Sequence, residues 1–561
     1  MFDVRRRRHI PAFAAFSLLL TVTSFTAAPE LKHLYPAAGQ QGTQVAVAFA
    51  GKFDPWPPQV WTDASGVTFT PTPITGTFNV EIAAEAEPGP HLVRIFNEEG
   101  ASIPRFFIVS AKPELRDREP NDDFKAPQPI AALPATISGR LDKSGDAECF
   151  AVTLKKDETL VAWVEAYVLA STCDALLRIV DTSGHVLAFN HDGRTLDPFL
   201  AWPAPHDGTF IVQLMAFAHP PASSVQLAGG EGCVYRLHVT AGPFVRHTMP
   251  LAVPGKGAAT LRLMGWNLPA SEMELSEALA VPARGNAAAV VPLPGVSSVQ
   301  PLMITGIPEA IEQEPNDSAA AAGKLEAPCA VSGQISAAGD EDRYTFTALK
   351  GRIYELKLLA GRLGSGLDAW LKVEGADGKE LVRDDDGGGA RDPRLLWTAP
   401  ANGAFTIAVG DLTHSGGEDF VYRLAVAEPP PYITATTATP TLALEAGKTE
   451  ELKVTVKRLH GFKGKLQLAA NKLPAGVSAP AVEVPEKDGE VTLKIIAEPA
   501  TQPANRPMTL VLREIEGGRE HPVRFPLAAT SEDNGVPQGY ADLVVNATEH
   551  LWLTITAPAK K

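Results

Sequence analysis

Basic charge is scarce in this 561-residue sequence: 50 Lys and Arg stand against 65 Asp and Glu, a formal net charge of −15. A surface of that sign repels phosphate backbones and anionic headgroups. It argues against nucleic acid and anionic membranes as partners and favours cation binding. Cysteine is scarcer still, with four in the chain, too few for a disulfide-built scaffold. Cys149, Cys173 and Cys233 fall in one segment and Cys329 in another; a Cys173–Cys233 bridge and buried free thiols are both open readings. Catalytic signatures are missing too, with no H-E-x-x-H, no G-x-S-x-G and no C-x-x-C-H. The chain is therefore expected not to be an enzyme. After the first 28 residues no run is long and apolar enough to span a membrane.

Those first 28 residues stand apart. Arg5 to Arg8 form a basic head, "IPAFAAFSLLLTVTSF" is an apolar run too short to cross a bilayer comfortably, and the small residues "TAA" follow at 26–28. This order reads as a secretory signal peptide over residues 1–28, so the rest is expected to be secreted. Its removal takes away four Arg and one Asp and moves the net charge from −15 to −18. The length calls for roughly three to five domains. The 48 Pro and 47 Gly punctuate short apolar runs along the whole chain, the mark of all-β modules.

A long internal repeat sets the domain plan. "RDREPNDD" at 116–123 returns as "IEQEPNDS" at 311–318, and "SGRLDKSGDAECFAVTL" returns as "SGQISAAGDEDRYTFTAL". "DPFLAWPAPHDGTFIVQL" is answered by "DPRLLWTAPANGAFTIAV", and "CVYRLHV" by "FVYRLAV". Each copy holds about eight short runs rich in Val, Ile, Leu, Phe and Tyr between Gly, Asp and Pro turns. That pattern predicts an antiparallel sandwich, with the matched Trp202 and Trp397 packed between its sheets.

On the EPND segment, the G-D-x-[DE] turn, the D-P-x-L-x-W strand and the D/N-G-[TA]-F turn, both copies resemble the bacterial pre-peptidase C-terminal (PPC) domain, a secreted jelly-roll module. The segments before each copy, "YPAAGQQGTQVAVAFAGKF" and "MPLAVPGKGAATLRLMGWNL", are similar to the opening strands of IPT/TIG-type immunoglobulin-like folds. After a stiff "EPPPYI" linker, "LEAGKTEELKVTVKRLHGFKGKLQLAANKLPAGV" alternates with period two and resembles the Ig-like modules appended to secreted hydrolases. The expected order is an Ig-like domain at 29–111, a PPC-like sandwich at 112–243, an abbreviated Ig-like domain at 244–310, a second PPC-like sandwich at 311–428 and a C-terminal Ig-like domain at 429–561. "ADLVVN" and "LWLTITA" are expected to add edge strands to the last of these.

The repeated segment carries the chemistry. Proline fixes φ and keeps the residue before it extended, and an extended chain turns alternate side chains to one face. Glu312, Glu314 and Asn316 then point together, with Asp317 just beyond; Asp117, Glu119, Asn121 and Asp122 do the same in the first copy. A second acidic pair lies at a turn into a strand in each copy, Asp340 with Asp342 and Asp146 with Glu148. Carboxylates on one face repel each other unless a cation sits among them, and a mix of carboxylate and amide oxygen suits Ca²⁺. The other reading is a solvated acidic linker. The PPC resemblance implies the first of these: calcium-binding PPC-type domains of secreted collagenases hold an ion between the N-terminal linker and a nearby turn, stapling the linker to the sandwich.

Other features carry less. "RDDDGGG" at 383–389 lacks the downstream Glu of a calcium loop and reads as a hairpin turn. His185, His191, His206, His219 and His238 lack zinc spacing. Trp56 and Trp61 beside prolines are either a stacking platform for sugar or peptide, or packing at a sandwich end. These features together describe a secreted, non-catalytic binding or structural protein whose partners are extracellular protein or polysaccharide. The alternative is an accessory or precursor component of a secreted peptidase or glycoside hydrolase system.

Overall fold

The computed structural model describes residues 27–558 apart from 194–195, 222, 256, 276–289, 292, 294, 299–301, 388–391 and 529–541. The expected signal segment lies outside the described residues except for its last two. Strands fill the described chain, and its helical content is two short 3₁₀ turns, Tyr167–Leu169 and Gly361–Leu363. No helix among the described residues is long and apolar enough to cross a membrane. The protein is all-β, built of tandem sandwiches.

Period-two patterning produces these sheets. In Thr449–Leu459, Leu452, Val454 and Val456 are buried while the residues between them face water. The inward sets form separate cores. One lies under Val47, Phe78 and Phe107, one under Phe150, Val212 and Leu237, a small one under Val245, Leu261 and Leu302, one under Phe346, Ile407 and Leu424, and one under Leu452, Leu493 and Leu553.

The two repeat copies have the same topology. In the first, one sheet orders Glu114–Arg116, Ala135–Arg140, Val234–Thr240, Thr159–Glu165 and Phe199–Pro203; its partner orders Gln128–Pro129, Glu148–Leu154, Gly208–Phe217, Asp174–Val180 and Val186–Asn190. The second copy repeats that order from Glu309–Ile311 to Val421–Ala427. Each copy thus has ten strands where eight apolar runs are visible. The extra pair are two- and three-residue strands that join in parallel: Glu114–Arg116 on Ala135–Arg140 and Gln128–Pro129 on Glu148–Leu154. They are too short and polar to show as apolar runs, and they flank the EPND segment on both sides. Trp202 and Trp397 meet Phe210 and Phe405 edge-on at 4.8 and 4.7 Å.

Two expectations need correction. Leu551–Thr556 is not an edge strand: it lies inside its sheet between Thr441–Glu445 and Ala504–Glu514, because its side chains are apolar on both faces and every residue from Leu551 to Ile555 is buried. The stretch 542–546 forms no strand; Leu543 packs instead against Leu92, Phe106 and Tyr167 of the first two modules. The 383–389 stretch is not a hairpin either, since Glu380–Asp384 and Arg394–Thr398 belong to different sheets. The Asp384 carboxylate accepts from the Arg394 amide at 2.7 Å and closes this crossover, part of which lies outside the described residues.

Candidate metal centres

The parallel strand Glu309–Ile311 hydrogen-bonds along Cys329–Gln334 and delivers the EPND residues to the end of that sheet. The Asn316 carbonyl then accepts from the Arg343 amide, tying the segment to the facing sheet. Five carboxylates converge there. Ligand oxygens of Glu312, Glu314 and Asp342 lie within 4.8 Å of one another, as do those of Glu314, Asp317 and Asp340, with Glu314 common to both groups.

Backbone amides and hydroxyls hold this set in place. Glu312 Oε1 accepts from the Gln334 amide at 2.6 Å, Glu314 Oε2 from the Asn316 amide at 2.9 Å, and Asp340 Oδ2 from the Ser336 amide at 2.7 Å. Asp342 Oδ2 accepts from the Tyr422 hydroxyl at 2.5 Å, and that hydroxyl lies 2.6 Å from the Tyr344 hydroxyl. A side chain cannot stand at residue 333, where a Cβ would meet Tyr422 Oη at 2.5 Å and Glu312 Oε2 at 2.6 Å. Glycine lets both approach.

What is left unpaired is informative. Asn316 and Asp342 are fully buried, yet both amide atoms of Asn316 and Oδ1 of Asp342 have no hydrogen-bond partner. Orphaned buried polar atoms are costly. Burial, with the neighbouring Asp342, pushes Glu312 well above the ordinary carboxylate range, and burial pushes Asp342 upward also. Glu314 and Asp340 are raised by partial burial and by acidic neighbours. Among the described residues no Lys or Arg side chain pairs with any of the five. Hard oxygens at this density, in a segment whose buried Asn316 amide has no partner, fit a cation that takes six to eight such ligands, which is the chemistry of Ca²⁺.

The first copy differs within the same frame. Glu119, Asp122 and Asp146 converge within 4.8 Å. Asp117 is drawn aside: Oδ1 accepts from the Tyr35 hydroxyl at 2.6 Å and Oδ2 from the Arg140 amide at 3.1 Å. Asn121 and Glu148 are buried side by side, and their side chains find no hydrogen-bond partner beyond each other. Burial, then the charge of Asp117, raises Glu148 to about 9. Sequence reasoning missed Tyr35, Tyr235, Tyr344, Tyr422 and Lys143 around these centres. The repeated "VYRL" was the available signal, since a tyrosine on the inward face of a strand requires a partner for its hydroxyl.

The remaining candidates resolve into packing. His238 stacks on Trp163 with ring centroids 4.6 Å apart, and no histidine joins a metal-capable group among the described residues. Trp56 packs on Phe53 and Phe78, and Trp61 meets Trp552 and His550 of the last module. All four cysteines are buried and none is joined in a disulfide, with Cys173 and Cys233 in one core.

No family model matches the chain, and no curated protein does. Among solved structures, Escherichia coli alpha-2-macroglobulin activated by porcine elastase aligns over 93% of this chain at 9% identity with a TM-score of 0.14. The chain spans about half of that protein's length, 52%. The fibronectin(III)-like modules of Clostridium thermocellum CbhA align over 38% of this chain and 90% of theirs, at 8% identity and a TM-score of 0.12. The N-terminal eight Ig domains of Down Syndrome Cell Adhesion Molecule align over 90% of this chain and 72% of theirs, at 10% identity and a TM-score of 0.13.

Proposed function

We propose that the chain is an exported, non-catalytic binding or structural protein. Its two PPC-like sandwiches, interleaved with IPT/TIG-like and Ig-like modules, present surfaces to extracellular protein or polysaccharide. In this reading residues 1–28 are a signal peptide, and calcium staples the EPND segment to each sandwich. The observation that carries it is the second centre: buried Asn316 and Asp342 with orphaned polar atoms, beside Glu312 and Glu314. Calcium there would be held by the carboxylates of Glu312, Glu314, Asp317, Asp340 and Asp342 and the amide of Asn316, and would neutralise a cluster the protein leaves uncompensated.

Calorimetric titration of the full chain tests it. Calcium uptake with Kd of ~10⁻⁴ M or tighter is expected, with magnesium far weaker because it keeps its waters and requires a tighter octahedron. Since the ion binds only the folded chain, it adds about 2.7 kcal/mol at one hundred times Kd. No uptake at millimolar calcium overturns the staple. For the partner class, glycan arrays and defined matrix proteins are expected to yield binding, and casein and polysaccharides to remain uncleaved. Hydrolysis lost on a single carboxylate substitution would sink the non-catalytic reading.

A further inference from the structure

The two centres share a frame, and among the matched positions that differ four bear on charge compensation. Around the first stand Tyr35, Arg116, Arg140 and Lys143; the aligned positions around the second are Met249, Ile311, Gln334 and Ala337. Each difference replaces a cation or a hydroxyl donor with a group that can neutralise nothing.

Of the first set Lys143 engages the acidic cluster directly, Tyr35 engages Asp117, and Arg140 pairs with Asp142 beside it. Lys143 Nζ lies 3.1 Å from Asp122 Oδ2 and 3.3 Å from Asp146 Oδ1, so the ammonium sits on two of the three carboxylates that converge there. Arg116 and Arg140 each place a guanidinium 4.7 Å from the centre of the Tyr35 ring, and the Tyr35 hydroxyl donates to Asp117. Asp117 thus spends one oxygen on the preceding module and stands outside the group of Glu119, Asp122 and Asp146, though its charge is still felt by Glu148, while its counterpart Glu312 stays within the second group. Beside the second centre stands Arg343, whose guanidinium is committed to Glu341 and Glu374 and reaches Asp317 only at its carbonyl.

We propose that the second centre is the tighter calcium site and that Lys143 serves the first as a tethered cation that competes with a metal for the same place. This rests on the calcium reading of the second centre. A metal entering the group of Glu119, Asp122 and Asp146 must displace the ammonium or bear its repulsion at close range. The Lys143 side chain is 65% exposed, so displacement costs only as much as a partly solvated ion pair. The first centre keeps its buried Asn121 and Glu148, which have no partner beyond each other, and therefore still binds calcium, more weakly.

Calorimetry on the full chain with single-residue exchanges tests this, and residues 143 and 337 are both exposed, so neither exchange disturbs a core. Two classes of calcium site are expected, at least about tenfold apart. E314Q should remove the tight class and E119Q the weak one. K143A should tighten the weak class by about three- to tenfold, and A337K should weaken the tight class by at least as much. Equal affinities at the two centres, or a weak class unmoved by K143A, overturn the proposal while leaving the calcium staple intact. No uptake by any variant overturns both.

Discussion

Asp342 accepts a 2.5 Å hydrogen bond from Tyr422 on one oxygen and has no partner on the other. Removing that hydroxyl leaves a buried carboxylate with only the Glu312 carboxyl beside it, so Y422F should cost about 1–3 kcal/mol in calcium-free urea unfolding. Calcium should recover part of the loss by supplying the missing partner. The carboxylates also set a pH dependence. Glu312, Asp342 and Glu148 are all raised in the folded chain, so the native state holds protons that the unfolded chain has released. Their contribution is complete below the ordinary carboxylate range and is lost as pH rises through the raised folded values, about 9 for Glu148. Calcium-free melting temperature should therefore fall from mildly acidic to mildly alkaline pH. The calcium-induced rise should grow over the same interval, because the metal binds the ionised carboxylates. A calcium effect that shrinks with rising pH would contradict a carboxylate cage.

At the scale of elements, the two copies repeat a buried cap as well as an acidic centre. The Asp392 carboxylate accepts from the amides of Ala360, Gly361 and Arg362 at 3.0, 2.7 and 3.3 Å, and Asp197 does the same for Ala166, Tyr167 and Val168. Each fixes the 3₁₀ turn that carries the chain between sheets. The Asp-Pro pair visible in both copies is thus a structural device. Replacing Asp392 with Ala orphans three amides and should destabilise the second sandwich by about 2–4 kcal/mol, read by chemical unfolding. The strand Leu551–Thr556 is a second such element. It lies inside a sheet, so truncation before Leu551 exposes two new edges and opens the last core. Loss of that module's cooperative unfolding transition is expected; a truncated chain with the same melt would show the strand to be peripheral.

Across the whole molecule, the first and last modules touch. Trp61 meets Trp552 edge-on at 5.9 Å, Arg94 donates to the His550 carbonyl at 3.1 Å, and Asn505 donates to the Asn97 carbonyl at 2.9 Å. The Val544 amide donates to the Val168 carbonyl of the first repeat copy. The packing partner of Trp61 lies some 490 residues away in sequence, beyond the reach of any local pattern. W61A should weaken the contact by about 1–3 kcal/mol. Small-angle scattering would report a larger radius of gyration, while the individual sandwiches keep their melts. An unchanged radius would mean the polar contacts hold the ends by themselves.

The sequence by itself determined the all-β class, the tandem sandwiches and the doubling of one module, because period-two burial and turn residues are local properties that survive in a linear string. It also named the carboxylates and asparagines of both centres, since repetition marks them. Tertiary structure alone decided which of them meet. Asp117 gives one oxygen to Tyr35 in another module, and Lys143 reaches across a turn to neutralise Asp122 and Asp146. Tyr422 brings its hydroxyl to Asp342 from a strand 80 residues on. Hydrogen bonding and charge compensation act through space over a few ångströms, and the spacing of residues along a chain does not encode those distances until the sheets have stacked.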